Sequence, residues 1–170
     1  MVLSLLEHFE ASTGAGSDWY PRARGFAREL SREHGGGLAR PAGIIAALSP
    51  QLQWNVNRRI AAHYMAHGEP GEGCLRLSDE RAHAIWRGHR PLDILGGPKT
   101  RAFYCAIMGD DSAAVVDTWM GTALGWPHSA FSARQYERCA DALSVAAGHA
   151  RKPVTTFQAI VWTQVRGSDS

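Results

Sequence analysis

A chain of 170 residues, 45% apolar and 20% charged, is most economically one domain, residues 1–170, able to bury roughly 70% of its unfolded surface without a disulfide or metal staple. The net charge of +2 is too small to announce nucleic-acid binding by itself, and neither a secretory leader nor about 18 uninterrupted apolar residues is legible. Cys74, Cys105 and Cys139 are odd in number and more than thirty positions apart, so no disulfide framework and no metal pattern is expected. The expected setting is a reducing cytoplasm, with no membrane partner.

Apolar residues recur at helical spacing and long β-branched runs are missing, which predicts an all-α chain. Asp18 and Trp19-Tyr20-Pro21 introduce a helix through about Glu33, with Phe26 and Leu30 facing inward and Gly35-Gly36-Gly37 as its stop. Pro41 opens a second helix at about Ala42, with Ile44, Ile45 and Leu48 buried, and Ser49-Pro50 interrupts it. Helix resumes from Trp54 to His67. Ser78 is expected to cap a short helix through Trp86, with Asp79 and Glu80 suited to its first turn.

Pro91 to Leu95 reads as another short helix, and Gly96-Gly97 as a hairpin turn with Pro98 opening a helix to about Met108. After the Gly109-Asp110-Asp111 loop, Val115-Val116 leads into Asp117 as the cap of a helix to about Leu124. Helices from Ala133 to Ala147 and from Thr155 to Arg166 follow, the last burying Phe157, Ile160, Val161 and Val165.

Of the eighteen cationic side chains sixteen are arginine; only Lys99 and Lys152 carry amines. Arginine serves for surface charge, as Arg22, Arg24, Arg28, Arg32, Arg58 and Arg59 can on a basic face, but its guanidinium stays protonated and is no nucleophile. A lysine at the mouth of a glycine turn, with Asp117 eighteen positions later at the head of the next element, is therefore the pair to examine for chemistry. Each has an ordinary alternative: Lys99 as an exposed first-turn lysine, Asp117 as an N-cap bonding to amides near Trp119 and Met120.

The order turn, lysine, amphipathic helix, short loop, Val-Asp-Thr, helix resembles the catalytic segment of the helix-hairpin-helix (HhH-GPD) DNA glycosylase superfamily. Ile44-Ile45-Ala46-Ala47-Leu48-Ser49-Pro50-Gln51, followed by Asn55-Val56-Asn57, is similar to that family's leucine-serine-x-glutamine stretch, and Gln158 to Gly167 to its closing helix. The resemblance covers about Ala42 to Gly167. It implies a compact helical fold in which Lys99 attacks the anomeric carbon of a flipped nucleotide and Asp117 stabilises charge on the sugar and accepts the lysine proton. A Schiff base then forms, which also permits strand cleavage by an AP-lyase step.

Duplex DNA with a modified or damaged base is the implied partner. Gln51, Ser49, Trp54, Asn55, Gly96, Gly97, Thr100 and Trp119 are the implied contacts to DNA or base, and unstacking the base costs a few kcal/mol. No cofactor is implied beyond a structural monovalent cation at the hairpin. An amine nucleophile must be uncharged to attack, and a helix N-terminus, where the dipole is positive, disfavours the ammonium form.

Three departures bear on this. Family hairpins usually read leucine-proline-glycine-x-glycine, whereas Ile94-Leu95-Gly96-Gly97-Pro98 is displaced at the first glycine, and Pro98 supplies no N–H for a phosphate. Trp119 stands where a histidine is common. No cysteine cluster follows Arg166, so the iron–sulfur module of one branch has no counterpart. Small bacteriophage members of this fold alter hypermodified thymines instead of excising them, so a DNA base-modifying transferase using an amine donor is the alternative, and a catalytically silent DNA-binding module is another.

Overall fold

The computed structural model describes residues 1–71, 73–126 and 131–167. Every regular element among them is an α-helix: α1 (Val2–Glu10), α2 (Trp19–His34), α3 (Ala39–Leu48), α4 (Trp54–His67), α5 (Arg76–Trp86), α6 (Pro91–Ile94), α7 (Pro98–Met108), α8 (Thr118–Ala123), α9 (Ala133–His149) and α10 (Val154–Arg166). The all-α expectation holds. No helix among the described residues is long and apolar enough to cross a membrane. The chain divides into two compact units, one formed by Met1–Pro21 with the described chain from Gly109 onward, the other by Arg22–Met108.

In the second unit α3 is the central element. Its sequence from Pro41 to Leu48 is small or apolar on every side and wholly buried, the pattern of a helix with no solvent face. It packs on α4, α5, α6 and α7. Gly43 permits the closest approach, since a Cβ there would stand 2.6 Å from Pro91 Cγ and 3.1 Å from Ile85 Cγ2. Asn57 Nδ2 donates to Ile45 O at 3.0 Å and joins α4 to α3, and the Tyr64 hydroxyl donates to Asp79 Oδ1 at 2.5 Å and joins α4 to α5. Gly68, left-handed at φ 80°, ends α4.

Two local expectations are corrected. Ser78 does not cap α5: the helix begins at Arg76 after an extended Leu75, and Ser78 is buried within it. The buried residues of α5 are Ser78, Ala82 and Ile85, so the small serine opens the inner face and is not available at the helix mouth. In α2 the buried residues are Ala23, Ala27 and Leu30; Phe26 lies beside that stripe, half-buried, with the Arg58 guanidinium 4.7 Å from its ring centroid.

The first unit is built around Leu5, Val116, Met120, Leu143, Phe157 and Val161. α1 lies against α9 and α10, with Phe9 stacked on Phe157 at 4.9 Å. α9 opens on a capping box in which Ser132 Oγ accepts from Gln135 N while Gln135 Oε1 accepts from Ser132 N.

Candidate catalytic segments

In the second unit, Leu95 N–H closes α6 onto Pro91 O at 2.8 Å, and Gly97 at φ 77° turns the chain into α7. Gly96 is backed by the Arg81 guanidinium, which a Cβ there would meet. The Thr100 hydroxyl donates to Gly96 O and also approaches Gly97 O at 3.3 Å. Thr100 is buried, so its hydroxyl locks the turn from inside. Lys99 is the second residue of α7 and half-buried, directly after Pro98. Both glycine carbonyls of the turn face the Thr100 hydroxyl.

The α3–α4 loop is set by Ser49, the C-cap of α3, whose hydroxyl donates to Ala46 O at 2.9 Å. Gln51 is exposed and left-handed at φ 63°, a conformation unfavourable for a residue with a Cβ. Trp54 begins α4, half-buried, with its ring edge-on to Phe26 at 6.2 Å. Asn55 is exposed, and its Oδ1 accepts from Val56 N at 2.8 Å. Among the sequence-predicted contacts in this loop, Gln51 and Asn55 therefore meet solvent while Ser49 is spent on the helix end.

In the first unit a strap without regular secondary structure, Ala114 to Val116, delivers Asp117, itself extended. The Gln158 carbonyl oxygen accepts from Val115 N at 2.8 Å, while the Tyr136 hydroxyl donates to Ala114 O at 2.7 Å and accepts from Val116 N at 3.3 Å. Gln158 Nε2 in turn donates to the Tyr20 hydroxyl. With its backbone so held, Asp117 caps α8: Oδ1 accepts from Trp119 N at 3.0 Å and Met120 N at 3.1 Å, and Oδ2 accepts from Trp162 Nε1 at 3.0 Å. Trp119 itself is half-buried and serves the carboxylate through its backbone.

The surroundings are aromatic. The Trp162 ring lies 6.3 Å from that of Trp19, and the Arg166 guanidinium stands 4.7 Å over it. Burial, with the Asp117 charge as a further cause, holds the Tyr20 and Tyr136 phenols above their ordinary range and pushes the Cys139 thiol up to about 12. The neighbouring acids are thus kept neutral beside the carboxylate. Among the described residues no group of three or more metal-ligating side chains occurs.

Sequence spacing singled out Asp117 but not Gln158, Tyr136, Trp162 or Tyr20. The available signal was Gln158 and Trp162 one turn apart, polar-tipped on a helix whose other inner residues are apolar or small. No curated protein matches the chain, and no solved structure matches it. A family model spans residues 7–169, nearly the whole of it, and the chain belongs to that family, DUF7178, a family of unknown function.

Proposed function

We propose that this protein is a DNA glycosylase of the helix-hairpin-helix type, in which Lys99 supplies the attacking amine and Asp117 the carboxylate that stabilises the sugar cation. The single observation that carries this reading is the state of Asp117. Three N–H donors hold its two oxygens, so a carboxylate is fixed in orientation at the first turn of α8. Lys99 follows a glycine turn at the opening of α7, and the exposed, strained Gln51 offers a polar side chain to a gap in a base stack. In the proposed reaction the amine of Lys99 bonds to C1′ as the glycosidic bond breaks, the base leaves with the bonding electrons, and the lysine proton passes to Asp117.

Borohydride trapping on duplex DNA carrying an abasic site tests this. The expected result is a covalent adduct with the wild type that falls to background with Lys99→Ala. Equal trapping or equal excision by Lys99→Ala would remove Lys99 from the reaction.

A second reading, a DNA base-modifying transferase, gains support from a pocket lined by Ser12, Thr13, Thr163 and Gln164. The Thr163 hydroxyl is buried there without a hydrogen-bond partner among the described residues. That lining suits a small amine donor. A mass gain on a modified-base oligonucleotide with its glycosidic bond intact would favour this reading; release of free base would favour the first.

A further inference from the structure

We propose that Trp162 is a positioning residue for Asp117, holding the carboxylate in the rotamer that faces the reacting sugar. The proposal rests on the glycosylase reading above. Oδ1 is committed to the α8 amides, and such a cap by itself leaves rotation about the last carboxylate bond restrained at one oxygen only. The indole N–H on Oδ2 supplies the second fixed point, at 3.0 Å. A carboxylate pinned at both oxygens cannot turn toward solvent when a positive charge forms nearby, so no reorganisation is needed at the moment of reaction.

The indole is itself immobilised. Trp162 packs against the apolar core of the first unit, with Trp19 at 6.3 Å and Arg166 over its face at 4.7 Å. Its position on α10, one turn after Gln158, means that one helix secures both the strap before Asp117, through Val115 N, and the carboxylate, through Oδ2. The ring contacts belong to packing; the N–H belongs to the carboxylate. Substitution by phenylalanine separates the two, because it keeps an aromatic ring and deletes the donor.

The experiment compares wild type and Trp162→Phe in single-turnover excision, in binding to the same DNA and in thermal unfolding. The expected result is a rate lowered about tenfold, the loss typical of deleting a charge-assisted hydrogen bond, with Kd within about twofold and Tm little changed. In an Asp117→Asn background Trp162→Phe should lower the residual rate no further, a non-additivity that a merely structural role would not produce. A rate equal to wild type overturns the positioning role and leaves the glycosylase reading standing. A wild type that neither excises nor traps overturns both. If Trp162→Phe fails to fold, the indole N–H proton resonance of Trp162 decides: it should move on Asp117→Asn, and an unmoved resonance overturns the proposal.

Discussion

Trp162 and Asp117, forty-five positions apart, share one hydrogen bond, and through it α10 holds a side chain that also starts α8. The two oxygens of Asp117 thereby do different things: Oδ1 satisfies the orphan amides of a helix N-terminus, and Oδ2 closes a tertiary contact. A residue with both duties is constrained by the fold as well as by any chemistry, and the two constraints separate by substitution.

Asp117→Asn retains an oxygen able to cap α8, and asparagine is among the best capping residues. Its amide NH2 would, however, face the Trp162 indole N–H donor to donor, so Asp117→Asn should cost about 1–3 kcal/mol for that unpartnered N–H, whereas Asp117→Ala loses the cap as well and should cost about 2–4 kcal/mol. Excision should fall by about a hundredfold or more in both, to a residual rate still measurable in single turnover. Urea unfolding of the three proteins gives the first comparison and single-turnover excision the second. Excision by Asp117→Asn at the wild-type rate would leave Asp117 as a cap alone.

Gly43→Ala should destabilise the second unit by about 1–3 kcal/mol, the cost typical of overpacking. The obstacle is the Pro91 ring, which cannot swing aside as a flexible chain end would, with Ile85 behind it. Gly148→Ala is the control, because a Cβ at Gly148 meets no atom within 4 Å and the position lies in α9. Replacing this last-turn glycine, whose φ is not positive, should be neutral or stabilising by up to about 1 kcal/mol. Equal behaviour of the two variants in urea would show that the α3 contact is not tight.

Which parts of this architecture are legible in the sequence follows from the range over which each is determined. The turn at Gly96-Gly97, the start of α7 at Pro98 and the cap at Asp117 depend on neighbours a few positions away, and their residue types announce them. α1 escaped notice because it is a nine-residue helix whose one fully buried residue is Leu5, too little to display a period. Ser78 misled because a serine followed by Asp79 and Glu80 is a helix-start signal, yet its burial is decided by where the rest of the α5 stripe packs. Trp162, Gln158 and Tyr136 were out of reach for a stronger reason: their partners lie 45, 43 and 20 or more positions away, and no local pattern records a tertiary hydrogen bond.

Gln51→Gly separates backbone strain from side-chain function. A left-handed conformation costs an ordinary residue about 1–2 kcal/mol, and glycine avoids this while adding a smaller entropy cost in the unfolded chain. The variant should therefore be as stable as wild type or more so. If the exposed Gln51 side chain serves DNA, excision should nonetheless fall, with the loss appearing in the rate on duplex substrate and much reduced on single-stranded substrate, where no stack has to be opened. A variant that is both more stable and fully active would mark the loop conformation as incidental.

The Cys139 thiol predicts a specific alkaline weakness. Burial pushes its pKa from 9.0 up to about 12, with the Asp117 charge contributing in the same direction. A folded value above the unfolded one means that the native state keeps a proton which the unfolded chain releases as pH rises past about 9. The stabilisation is fully present below pH 9 and is lost progressively between 9 and 12, at up to about 1.4 kcal/mol per pH unit for one group. Cys139→Ala removes this dependence at the expense of a small cavity, so it should be less stable than wild type at pH 8 and should lose that disadvantage by about pH 11. Tyr20 contributes an alkaline term of the same sign that is present in both proteins and cancels in the difference, whereas Tyr136, raised in part by Cys139 itself, leaves a smaller term that acts in the same direction as the thiol. Urea unfolding under reducing conditions at pH 8, 9, 10 and 11 measures the gap; a gap that stays constant across that series would show that the thiol does not titrate differently in the two states.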